Sequence, residues 1–198
     1  MDRLSPVTLV LAAVVACDGG AAADQKPAEG RSRVDAVQAS KPKIDVAGFC
    51  DVRPAAGQGK KLALPELRSD APEAGAGWQW INVWATWCKP CVEELPMLTA
   101  LRGKFEADHL PLSLVFLSVD AEDAEVGAFE AKHGKVEGGV RIKDATTLPQ
   151  WLASIGLDEN SLLPLHVFVD ETGEIRCVRM GPVSETDYET VKGIVREG

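Results

Sequence analysis

The chain has 198 residues, 45% of them hydrophobic, and a net charge of −9 at pH 7. That length holds one globular domain plus a tail, and the apolar fraction is sufficient for a real core. The acidic balance repels a phosphate backbone and so argues against nucleic-acid binding. Five cysteines are present, Cys17, Cys50, Cys88, Cys91 and Cys177. An odd number leaves at least one outside any intramolecular disulfide.

Met1-Asp2-Arg3 leads into Val7–Ala16, where Thr8 alone is polar. This run is too short for a bilayer-spanning helix, which needs about 20 residues. It fits the apolar region of a secretory signal peptide, with Arg3 as its basic start. The run ends Val14-Val15-Ala16-Cys17, which resembles the lipobox of bacterial lipoproteins. That resemblance implies acylation of Cys17 and firm attachment through more than one acyl chain. The alternative is an ordinary cleaved signal with a chance cysteine. Residues 18–43 are rich in Ala, Gly, Asp, Lys and Pro and have no aromatic residue. Such a segment cannot bury enough surface to offset its chain entropy. It reads as a flexible tether with a reach of roughly 25–30 Å. The expected organisation is a signal peptide at 1–16, a lipidated N-terminus and tether at 17–43, and a folded domain at 44–198.

Within that domain Gln79–Trp84 reads as a buried strand, and Leu112–Val119 as a second. Leu165–Asp170 and Ile175–Met180 read as two more, joined by Glu171-Thr172-Gly173 as a hairpin. Val92, Leu95, Leu98, Leu101 and Phe105 recur every three or four residues, which predicts a helix with one apolar face. Glu122–His133 is a second helix ending at Gly134. Thr147 is expected to cap a third, carrying Trp151 and Leu152 and stopped by Gly156. Ser184 with Asp187 forms a capping-box pattern before a last helix carrying Tyr188, Val191 and Ile194. Strands separated by helices imply parallel pairing with helices on both faces, and the closing hairpin adds antiparallel strands.

Trp84-Ala85-Thr86-Trp87-Cys88-Lys89-Pro90-Cys91 stands between the first strand and the long helix. Two residues between cysteines let both sulfurs meet at a helix N-terminus. The unpaired N–H groups and the positive end of the helix dipole there favour a thiolate on Cys88. Pro90 lacks an N–H and suits the first helical turn, and Lys89 adds a positive charge. Cys88 is then the attacking thiolate and Cys91 the thiol that resolves the mixed disulfide. A structural disulfide or half a zinc site would use the same pair. Zinc needs further ligands, and neither the other cysteines nor His109, His133 and His166 show a ligand spacing. No metal or cofactor is therefore expected, and the histidines receive no role.

Residues 80–98 resemble the thioredoxin superfamily, specifically its TlpA/ResA/CcmG-type branch of bacterial envelope thiol-disulfide oxidoreductases. The residues that carry the resemblance are Asn82-Val83-Trp84-Ala85-Thr86-Trp87-Cys88, Pro90-Cys91, Glu94 and Pro96. It extends more loosely from about residue 60 to 181. It implies a thioredoxin-like three-layer α/β/α sandwich with a mixed central sheet and extra N-terminal strands, which Lys60–Leu67 would supply. It implies a cis Leu163-Pro164 bond ahead of the third core strand, with Trp87, Leu163 and Pro164 meeting substrate. Leu165-His166 stands where the family has threonine or another small residue. Glu94 matches the family's acidic residue three positions after the second cysteine. Positions 91 and 94 are neighbours on one helical face, so a partly buried carboxylate there can exchange a proton with Cys91. Sco-type copper proteins share the fold but carry CxxxC, and this chain has CxxC.

Export permits a second, structural disulfide, and Cys50 and Cys177 are its candidates. Two inert thiols or an electron relay are the alternatives. The resemblance implies a reductase of exported protein thiols and disulfides, with apocytochrome c cysteines as one substrate. It also implies a monomer tied to the envelope by its lipid and recycled by a membrane electron donor. An oxidase or isomerase of the same fold, or a non-catalytic metal-carrying binding module, are the competing readings.

Overall fold

The computed structural model describes residues 44–68 and 77–197. The expected signal peptide and tether, with Cys17, lie outside the described residues. Five strands form one sheet: β1 Trp78–Trp84, β2 Leu112–Ser118, β3 Gly139–Arg141, β4 Leu165–Val169 and β5 Ile175–Met180. Their spatial order is β3-β2-β1-β4-β5. β1, β2 and β3 run parallel, whereas β4 and β5 are antiparallel to their neighbours.

β1 is central, and Trp80, Ile81, Asn82 and Val83 are all fully buried. A strand covered on both faces has no reason to alternate, which is why its sequence is a near-continuous apolar run. Long helix α2 (Lys89–Ala107) follows β1. It sets Leu95, Leu98, Leu101 and Phe105 into the core, and Phe105 meets Trp80 with ring centroids 6.2 Å apart. The C-terminal helix, Tyr188–Glu197, packs beside α2 by stacking Tyr188 on Phe105 at 4.9 Å. Ser184 and Asp187 form the expected capping box before it. The helix Asp123–His133 covers the end of β1, where Phe129 meets Trp84 at 5.3 Å. Among the described residues no helix is long and apolar enough to cross a membrane.

Three expectations need correction. The sequence reading has no β3, a strand of three residues that is too short to show a period. The extra N-terminal strands are single bridges instead, Val52 to Val178, Lys61 to Glu174 and Leu67 to Ile142. Lys60–Leu67 touches both edges of the sheet, beside β5 and beside β3, at isolated points and aligns no continuous ladder. Thr147 makes no side-chain cap. Asp144 takes that place, accepting from the Thr146 N–H at 2.9 Å and opening a 3-10 turn that runs into the helix Leu148–Ser154.

Candidate active site

Where β1 ends, the chain turns through Ala85, Thr86 and Trp87 and enters α2. A buried polar anchor shapes that turn. The Asp120 carboxylate, just past β2 and wholly buried, accepts from the Thr86 N–H at 3.0 Å and the Thr86 hydroxyl at 2.7 Å. The Ser118 hydroxyl donates to its other oxygen at 2.8 Å. Arg141 Nε donates to the Asp120 carbonyl at 3.1 Å, tying β3 to the same corner.

The turn delivers Cys88 as the N-cap of α2, with Pro90 in the first helical turn. Cys88 and Cys91 are joined as a disulfide, with Cα atoms 5.3 Å apart. Cys88 Sγ accepts from the Cys91 N–H at 3.4 Å, so one of the helix's free donors already points at the sulfur that would carry charge. Cys88 is 6% exposed and Cys91 is wholly buried. Of the two, only Cys88 keeps any contact with solvent. Trp87 beside it is 65% exposed, an apolar ring held in solvent at the edge of the pair. Lys89 does not present a free charge to the sulfur. Its ammonium is ion-paired with Glu93, one turn on, and both side chains are largely exposed.

Leu163-Pro164 is a cis peptide bond. β4 pairs antiparallel with β1, with Val83 opposite Leu165. That register brings Leu163 and Pro164 to the end of the sheet from which the cysteine turn departs. Pro164 is buried and Leu163 half-buried.

Glu94 lies on α2 one turn after Cys91 and is only 5% exposed. Its Oε1 accepts from Asn82 Nδ2 at 2.9 Å, and its Oε2 from the Val183 N–H at 3.1 Å. His166 Nε2 stands 3.5 Å from Oε1. A solvent cleft of about 350 Å³, lined in part by Pro90, Met97, Pro182 and Val183, reaches the same glutamate. The site thus holds a slightly exposed cysteine, a wholly buried one and a buried carboxylate that borders a solvent cleft. Among the described residues no group of three or more His, Cys, Asp or Glu side chains is arranged to hold a metal.

No protein-family model matches the chain. ResA of Bacillus anthracis, a thiol-disulfide oxidoreductase, is 27% identical over 118 residues, covering 60% of this chain and 59% of its own length. The thioredoxin-like protein YneN of Bacillus subtilis is 29% identical over 113 residues, covering 55% and 59%. The chain thus spans about three-fifths of the length of the curated relatives it matches. The solved structure of a secreted thiol-disulfide isomerase from Corynebacterium glutamicum superposes with a TM-score of 0.58 at 16% identity, covering 73% of this chain and 91% of that one. The chain has a thioredoxin-like fold and is similar in sequence to ResA-type proteins.

In this thioredoxin-fold site the sequence reading located Cys88, Cys91 and Glu94 but passed over the groups around the glutamate. Asn82 and His166 face each other across the β1–β4 register, and both are fully buried. The signal was present: each is a polar residue inside an otherwise apolar strand, and a buried polar group must find a partner. Asp120 carried no such signal, because it follows a strand where loop aspartates are ordinary. Cys50 and Cys177 form a second disulfide, remote in sequence from the first.

Proposed function

We propose that the chain is a thiol-disulfide oxidoreductase that reduces disulfides of exported proteins by dithiol–disulfide exchange through Cys88 and Cys91. The observation that carries this reading is the asymmetry of the pair, one cysteine slightly exposed and capping a helix N-terminus, the other wholly buried one turn before Glu94. In the reduced protein the Cys88 thiolate attacks a substrate disulfide. A Cys88–substrate S–S bond forms, the substrate S–S bond breaks, and one substrate sulfur leaves as a thiolate. Cys91 then gives its proton to the Glu94 carboxylate, and its thiolate attacks Cys88 Sγ. The Cys88–Cys91 bond forms and the second substrate sulfur departs. Two electrons have passed from the protein dithiol to the substrate, and Glu94 returns its proton to water through the adjoining cleft. A dithiol protein in the membrane resets the pair by the same exchange in reverse.

Trp87 and the backbone of Leu163 and Pro164 receive the substrate chain. The signal-like N-terminus and Cys17 support a location on the outer side of the bacterial cytoplasmic membrane, held by lipid. Apocytochrome c cysteines are a fitting substrate class, because haem attachment needs them reduced. The test uses the full-length chain with Cys91→Ser and, separately, Cys88→Ser. Cys91→Ser should accumulate a mixed disulfide with a model disulfide substrate, and Cys88→Ser should form none. Equal trapping by both variants would remove the assignment of Cys88 as nucleophile.

A further inference from the structure

Behind Glu94 is a second buried ionisable group that the reaction above does not use. His166 is fully buried on β4. Its Nδ1 faces two donors, the Trp80 indole N–H at 3.1 Å and Asn82 Nδ2 at 3.4 Å. The indole has no acceptor to offer, so Nδ1 must be the unprotonated nitrogen of the neutral ring. The ring proton then sits on Nε2. That nitrogen points at Glu94 Oε1, 3.5 Å away, and has no hydrogen-bond partner of its own among the described residues. The spacing is slightly long for a hydrogen bond and closes with a small movement of either side chain. Trp80 is itself fixed between Phe105 at 6.2 Å and Phe168 at 4.8 Å, so the chain of contacts has a rigid far end.

We infer that Trp80 and His166 are positioning residues that aim an N–H at Glu94 Oε1 and so orient the carboxylate that takes the Cys91 proton. The inference rests on the proposed exchange reaction. The indole hydrogen bond fixes the imidazole ring, and the ring aims its remaining N–H at the carboxylate oxygen. Other charged and titratable groups surround the chain. Arg179 stands opposite His166 on β5 and pairs with Asp51 at 3.9 Å. Asp45 and Asp187 share a cleft with Arg179. Glu93 and Glu185 line the cleft beside Glu94, and Cys88 and Cys91 lie on its own helix. Among the described residues none of these makes a hydrogen bond or ion pair with His166 or Glu94 through its side chain. Apart from Cys91, the histidine is thus the one ionisable side chain among the described residues with a polar atom aimed at the carboxylate.

The experiment measures the rate at which Cys91 releases substrate from a preformed mixed disulfide in the full-length chain. His166→Leu removes the donor, so that rate should fall roughly tenfold. His166→Gln, whose amide N–H can replace Nε2–H, should restore most of that loss. In a Glu94→Gln background His166→Leu should cause no further loss. Absence of rescue by His166→Gln, or a loss that persists without Glu94, would overturn the inference and reduce His166 to a packing residue. Imidazole nitrogen shifts of the wild-type protein provide a second readout that needs no variant. A protonated Nε2 and a bare Nδ1 in the neutral ring are expected, and a protonated Nδ1 would refute the chain. If the wild-type pair fails to cycle at all, the exchange reaction itself is wrong. If it cycles with a release rate indifferent to His166, the role of the histidine alone is wrong.

Discussion

The Cys50–Cys177 disulfide invites a quantitative test. It joins positions 127 residues apart in sequence, just after helix α1 (Val46–Phe49) and within β5. Removing the bond with Cys50→Ala and Cys177→Ala frees the unfolded chain to explore a loop of that length. The chain-entropy relation gives about 5 kcal/mol for such a loop, and residual structure in the unfolded state lowers the observed value to about 3–5 kcal/mol. Native contacts near the bond should survive its loss. The Asp51 and Val52 N–H groups donate to the Val178 carbonyl at 2.8 and 3.1 Å, and Phe49 packs edge-on against Phe168. The penalty therefore comes from the unfolded state, and the folded structure should change little. By contrast the Cys88–Cys91 bond closes a loop of three residues, worth about 1–2 kcal/mol on the same relation. The assay is reversible urea unfolding of the double variant and the parent, both with the active-site pair oxidised. The midpoint should fall, whereas reducing Cys88–Cys91 alone should move it far less. Equal midpoints for the double variant and the parent would refute the loop argument and make the bond incidental.

Three further outcomes are expected. Glu94→Gln should slow release from the mixed disulfide by about 10²–10⁴-fold and leave the initial attack by Cys88 nearly unchanged, as stopped-flow kinetics of the two steps would show. Asp170 heads the β4–β5 turn. Burial pushes its carboxyl up, but hydrogen bonds from Thr172, Glu174 and Arg176 outweigh this and hold it below the ordinary range. Its contribution is therefore present above an unfolded value near about 3.9 and is lost as pH falls through the lower folded value. Asp170→Asn should cost about 1–2 kcal/mol in neutral urea unfolding, and the gap should narrow in acid. Tyr188 is the single tyrosine of the chain, and burial followed by its hydrogen bond to Asp108 raises its phenol to about 12. An ultraviolet titration should find that value, with Asp108→Asn bringing it down towards about 10.

How far the sequence could be read depended on how locally each feature was determined. β1, β2, β4 and β5 were legible because their apolar runs and turn residues are contiguous. So were α2 and the C-terminal capping box at Ser184 and Asp187. The cysteine pair was legible because two intervening residues at a strand–helix junction fix its place at the helix start without reference to the rest of the fold. β3 was not, since its three residues are placed by pairing with Phe116, Leu117 and Ser118 of β2 and have no pattern of their own. The Glu94 surroundings were only half legible. Periodicity set the glutamate beside Cys91, but its partners come from β1, β4 and the segment after β5, joined only by sheet register. Register is a long-range property, which is also why the histidine at 166 earned no role from sequence. The same reasoning covers Cys50 and Cys177: spacing alone offers no pairing, and the two meet because Val52 bridges Val178 beside them.

The central claim is that Cys88 and Cys91 form a reducing couple. It is tested most directly by the reduction potential of that pair in the full-length chain. The chain is equilibrated in thiol redox buffers, and each cysteine is read by alkylation and mass spectrometry. The account predicts a potential near or below about −250 mV, with Cys50–Cys177 remaining oxidised throughout. A potential above about −180 mV, or a pair that does not cycle, would contradict it.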